Sequence, residues 1–169
     1  MPLSMHSASV PIFVRMLSNM LVWLDKAEGH AKARGFDPNN YMGLRLAPDM
    51  LPFAQQIQIA SDSVKGAVAR LADVEAPKWA DDEASLDELR ARIRKTIEYA
   101  ESIPAAKLDG SETREITVPA GPDRTFRFPG ETFLKHFSLP NFFFHVTMTY
   151  ALLRQAGVEL GKMDYLGAP

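Results

Sequence analysis

The chain has 169 residues, 46% of them hydrophobic and 24% charged, with a formal net charge of −2. These proportions are those of an ordinary globular protein, and the length suits one domain, residues 1–169, with a sizeable core. Lysine and arginine are scattered and form no basic stripe, which argues against nucleic acid as a partner. The absence of cysteine excludes disulfides, thiolate metal sites and a cysteine nucleophile, and leaves a cytoplasmic location as the default expectation.

The apolar run from Val10 to Leu24 lacks a basic start, is interrupted by Arg15 and Asn19, and is followed by Asp25 and by no small-residue cleavage site. It reads as a core helix and not as a secretion signal or membrane span. Val10, Phe13, Leu17, Met20, Leu24 and Ala27 recur at helical spacing, which predicts a first helix over 7–34, with Pro11 near its start and Gly35 as its stop. Asp37-Pro38-Asn39-Asn40 marks a loop. A second helix is expected to open at Pro48-Asp49, an early proline with an acidic first turn, and to end near Asp73. Its stripe is Met50, Phe53, Ile57, Ala60, Val64, Ala67 and Leu71.

A third helix starts at Ser85-Leu86-Asp87-Glu88, the spacing of a capping box. Leu86, Leu89, Ile93, Ile97 and Ala100 form its buried face, while Arg90, Arg92 and Arg94 are read as a solvated face. From Thr113 to Phe128 the period changes to two on either side of Ala120-Gly121-Pro122-Asp123, which predicts a small β-hairpin. A fourth helical region begins at Gly130-Glu131, should kink or break near Leu139 because of Pro140, and ends at Gly157. The tail 161–165 is expected to be irregular but packed. Four amphipathic helices imply an all-α four-helix bundle, with the hairpin in the crossover between the third and fourth. A long crossover allows an up-up-down-down order.

The most informative stretch is Asn141-Phe-Phe-Phe-His145, running on to Leu152, Leu153 and Gly157. Positions 141, 145, 148 and 152 share one helix face, so an imidazole and a carboxamide lie on an apolar stripe. Buried polar groups need partners. That face is therefore a ligand pocket, a metal site or a hydrogen-bonded core. On the second helix Gln56 lies beside the apolar stripe and Asp62 is placed to line the same groove. The bland readings are a core histidine bonded to an amide or carboxylate, Asn141 as an N-cap, and an Asp62–Lys65 surface ion pair. Three consecutive phenylalanines must face three directions, so one of Phe142, Phe143 and Phe144 is expected to meet the hairpin or a second chain. Of the other histidines, His136 lies across the Pro140 break, His6 precedes the first helix, and His30 is read as exposed. Tyr41 and Arg45 would border a pocket. No phosphate loop, His-Glu-x-x-His signature or Gly-x-Ser-x-Gly elbow is present.

The segment Tyr150-Ala-Leu-Leu-Arg154-Gln-Ala-Gly157-Val, the helix order and the Leu46-Ala47-Pro48-Asp49-Met50 stretch resemble DinB/YfiT-like proteins. Within that superfamily the motifs Leu-Ala-Pro-Asp-Met and Pro-Asn-Phe-Phe-Phe-His are most similar to a bacterial family of uncharacterised function. The resemblance covers nearly the whole chain. It implies an up-down-down-up bundle, commonly a homodimer. Its metal-binding members carry one histidine on the second helix and a His-x-x-x-His pair on the last. His145 matches the second of that pair, Asn141 stands where the first would be, and Gln56 is the best match on the second helix. Carboxamides are weak metal ligands, so the implied site is degenerate.

Three functions compete. The leading expectation is a small-molecule pocket formed by His145, Asn141, Gln56 and Asp62, with no metal or other cofactor. The second is a metalloenzyme, thiol S-transferase-like or hydrolytic, in which His145 with His136 or Asp62 holds a divalent zinc or nickel ion. The third is a non-catalytic structural dimer. No membrane association is expected in any of them.

Overall fold

The computed structural model describes residues 3–167. Helix α1 (Val10–Arg34) starts after Ser9, three residues later than its periodicity predicts, because Ser9 turns its hydroxyl back to the Met5 carbonyl (2.6 Å) and does not cap the helix. Gly35 closes it with φ 75°, the left-handed conformation glycine adopts without strain. A 3₁₀ turn (Pro38–Gly43) follows.

Helix α2 (Phe53–Ala72) begins five residues beyond the expected Pro48 start. Leu51 precedes Pro52 and is disfavoured from helical geometry. Phe53 gives its N–H to the Leu44 carbonyl instead (2.8 Å), tying the entry of the helix to the loop. From Phe53 onward the expected stripe is buried, and Asp73 ends the helix with φ 55°.

Helix α3 (Leu86–Ser102) is capped by Ser85, whose hydroxyl accepts from the Glu88 N–H at 3.2 Å. The Glu88 carboxylate reaches one residue further back than a standard box, to the Ala84 N–H. A short helix α4 (Ala105–Leu108) leads to the antiparallel hairpin of β1 (Glu115–Pro119) and β2 (Thr125–Pro129), which pair Ile116 with Phe128 and Val118 with Phe126. Gly130 then opens α5 (Gly130–Phe133), and any Cβ there would collide with the Ser111 carbonyl.

The fourth helical region does not break at Pro140. The chain stays helical from α5 through a wide π turn (Leu134–Ser138) into α6 (Leu139–Gln155). Proline lacks an N–H and crowds the preceding turn, and the extra residue in the π turn accommodates it at the second position of α6.

The long helices pack as a ring in which α1 touches α3 and α6, and α2 touches α3 and α6. Phe13 meets Phe142 and Trp23 meets Tyr150, so α1 and α6 run parallel. Gln56 faces His145 and Ser63 faces Asn141, so α2 runs opposite to α6. Arg90 reaches Asp25 and Glu28 while Glu101 shares a groove with Val10 and Val14, so α3 runs opposite to α1. The order is up-down-down-up and not up-up-down-down. Asp73 to Ser85 is an extended return along the bundle, which allows α2 and α3 to run parallel.

Three expectations need correction. Arg90 and Arg92 are not solvated: they are 6% and 4% exposed. Their stems flank the α3 stripe, and each guanidinium gathers three carboxylates, Asp25, Glu28 and Asp87 for Arg90 and Asp62, Asp81 and Glu83 for Arg92. Of the three arginines, Arg94 alone is exposed. His30 is half-buried and bonded through Nδ1 to the hydroxyl of the buried Tyr41 at 2.7 Å. The tail is regular, forming helix α7 (Lys162–Leu166). Four donors spaced along one face of α1 hold it: Arg15 to the Leu166 carbonyl (3.1 Å), Asn19 to Tyr165 (2.9 Å), the Trp23 indole N–H to Asp164 (2.9 Å), and Lys26 to the Asp164 carboxylate (2.6 Å). The carbonyls of a last helical turn lack partners within the helix, and α1 supplies them here.

Two substitutions test this packing by urea unfolding. Gly130→Ala should destabilise by about 1–3 kcal/mol, because the Ser111 backbone has to move. Arg92→Met should cost roughly 3 kcal/mol, since its carboxylates lose their cation, whereas Asp81→Asn at the exposed rim should cost less than about 1 kcal/mol.

Candidate functional site

The polar stripe of α6 faces α2. His145 is 8% exposed, and its Nδ1 lies 2.8 Å from Gln56 Oε1. The Gln56 amide nitrogen donates to the Leu51 carbonyl at 2.9 Å. A carbonyl only accepts, so this bond fixes which end of the amide faces the imidazole. His145 Nδ1 must therefore donate, and Nε2 carries the lone pair. Among the described residues the Nε2 atom has no partner, and it is not sealed from solvent. Phe144, half exposed, sets its ring edge-on to the imidazole at 5.2 Å. The late start of α2 is what makes this possible, because Leu51 stays outside the helix and its carbonyl is free to accept.

One turn earlier, Asn141 Nδ2 donates to Ser63 Oγ at 2.7 Å, and Ser63 donates to the Ile59 carbonyl at 2.7 Å. Asn141 lies within the continuous helix and caps nothing. Ser63 and the Leu51 carbonyl are the participants that sequence reading misses. The available signal is spacing: Gln56 and Ser63 are seven apart on α2 and share a face.

Asp62 points to a different neighbour. Its carboxylate pairs with Lys65 (2.7 Å) and Arg92 (3.0 Å) on the α3 side. His136 is exposed on the π turn, and the His6 backbone N–H bonds to Asp109. Tyr41 is buried behind His30, while Arg45 is exposed and bonds the Met50 carbonyl. A cavity of about 640 Å³ lined by Lys26, His30, Glu159 and Asp164 lies at the tail, away from His145. Of the three phenylalanines, Phe142 is buried against Phe13, Phe143 is half-buried, and Phe144 faces outward.

The donor set does not fit a divalent metal. Gln56 commits its oxygen to His145, Asn141 commits its nitrogen to Ser63, and Asp62 is held by two cations. One neutral imidazole nitrogen and the Asn141 carboxamide oxygen remain, and an imidazole with one weak carboxamide ligand falls short of the three or four good ligands that zinc or nickel takes. Among the described residues, no three His, Asp or Glu side chains are gathered so that they could hold an ion.

Burial lowers the His145 pKa from its ordinary 6.5. What the arrangement offers is thus a neutral, tautomer-locked hydrogen-bond acceptor at the edge of the bundle.

A four-helix bundle with this order and this hairpin has the DinB-like fold. The chain belongs to the Domain of unknown function (DUF1993) family, whose model matches residues 5–166. It is similar to a solved DinB family member protein from Shewanella denitrificans, with 37% identity, a TM-score of 0.90, and coverage of 97% of this chain and 92% of that one. No curated protein matches. Among the described residues, no helix is long and apolar enough to cross a membrane.

The lowered pKa has a consequence for stability. The fold favours neutral His145, so the unfolded chain takes up a proton at higher pH than the folded one. The contribution is whole above the ordinary histidine range and declines as pH falls through it, levelling off below the folded pKa. Asp164, held low by its bond to Lys26, acts only in more acid solution. Stability measured between about pH 7.5 and 5 should fall in the wild type and fall less in His145→Gln.

Proposed function

We propose that the protein binds a small molecule without a metal, at the edge of the α2–α6 seam, and that His145 Nε2 accepts a hydrogen bond from it. The observation that carries this reading is the relay from the Leu51 carbonyl through Gln56 to His145. Two successive bonds fix one tautomer and leave its lone pair without a protein partner among the described residues. A histidine kept for packing alone would need no such orientation, and its second nitrogen would ordinarily be bonded as well. Asn141, one turn away and bonded to Ser63 through its nitrogen, leaves its carbonyl oxygen as a second acceptor on the same helix. The ligand is accordingly a neutral or cationic molecule with N–H or O–H donors, not an anion. The apolar Phe144 ring, exposed beside the imidazole, favours a ligand with a hydrophobic part.

The test is a panel of small alcohols, phenols, amides and amines followed by NMR at the His145 ring. Donor-bearing compounds should shift the Nε2 resonance in wild type, and Gln56→Leu should reduce their affinity by about tenfold because the ring loses its orienting bond. Equilibrium dialysis against zinc or nickel should leave no stoichiometric ion. A panel in which nothing moves the His145 ring would end this reading, as would a tightly bound ion.

A further inference from the structure

The buried guanidinium groups of α3 are heavily paired: Arg90 and Arg92 each meet three carboxylates. Arg70, half-buried on the last turn of α2, meets none within 4.0 Å among the described residues. Its Nε donates to the Thr117 carbonyl of β1 at 3.2 Å, and one terminal nitrogen folds over Gly66, where a side chain would block it. Arg114 answers from just before β1 by donating to the Leu71 carbonyl of α2. The two arginines thus clasp the hairpin to the end of α2, each using one nitrogen. Among the described residues their remaining N–H groups have no partner, and both arginines line one cavity of about 420 Å³.

We propose that this cavity is an oxyanion site, in which Arg70 and Arg114 hold a phosphate or carboxylate group of a small molecule. Guanidinium forks bind such groups in pairs of parallel bonds. A cation taken partly out of water without a counter-charge is costly, and an anion supplies the missing partner. Burial is the one influence acting on the Arg70 pKa and moves it below its ordinary value, in keeping with a guanidinium that lacks a neighbouring carboxylate. The other charged groups at the cavity are Asp73 and Glu115, and Glu115 is turned onto Arg127 at 3.4 Å. The negative end of α2 is masked: the Ala69, Arg70 and Leu71 carbonyls are taken by Val74, Asp73 and Arg114. The site is separate from His145 and independent of what binds there.

The test titrates inorganic phosphate, and separately acetate, into the full-length protein at constant ionic strength balanced with chloride, following thermal stability and calorimetric heat. At least one of the two anions should raise the melting temperature saturably, and the better one identifies the group. Arg70→Gln should weaken that anion by at least about tenfold, and Asp73→Asn should tighten it severalfold. Because Arg70→Gln also loosens the hairpin, Asp73→Asn serves as the second variant, since it touches neither arginine bond. Phosphate and acetate that act no more strongly than chloride overturn the proposal. So does an affinity that neither variant changes.

Discussion

Helices α2 and α6 can pack only in a register that satisfies the polar groups they bury together. Gln56 opposite His145 and Ser63 opposite Asn141 set that register, and a slip of one turn would take both cross-helix bonds away, from the His145 ring and from the Asn141 amide. The apolar residues around them tolerate several alignments, whereas the hydrogen bonds tolerate one. The position of α6 in turn fixes α1, through Phe13 on Phe142 and Trp23 on Tyr150. The candidate site is therefore built from the same bonds that align the bundle.

The bundle is also ordered by charge. Arg90 ties α3 to α1 and Arg92 ties α3 to α2 and to the return segment through Asp81 and Glu83. Trp79 reinforces the second of these, lying between Lys65 at 4.8 Å and Lys95 at 4.7 Å. Aromatic faces attract ammonium groups, so a segment with no regular structure is held at several points. Arg70 and Arg114 join the hairpin to α2 through backbone carbonyls instead.

Much of this architecture is legible in the sequence. The four helices, the hairpin and the family follow from periodicity, turn residues and a few motifs. Sequence alone places the start of α2 too early because Pro48-Asp49 has the composition of a helix N-terminus, and what excludes it is the later Pro52 and a bond from Phe53 back to Leu44 in the preceding loop. Arg90 and Arg92 are misread because a polar flank looks the same in sequence whether it meets water or carboxylates from other helices. At the candidate site, the pairing of His145 with Gln56 is within reach, since both lie beside apolar stripes. The role of the Leu51 carbonyl is not, because a backbone oxygen carries no sequence signature, and Ser63 is marked only by its seven-residue spacing from Gln56.

The ladder of donors on α1 has a consequence for how the molecule is made. Trp23 finds its acceptor 141 positions further along, at Asp164. During synthesis α1 emerges well before α7, and its indole N–H, Asn19 amide and Lys26 ammonium have nothing to grip until residues 159–165 have left the ribosome. A nascent chain that stops short of residue 159 would display that face of α1 bare, and truncation at this point should expose a sticky surface even though all four long helices have been translated.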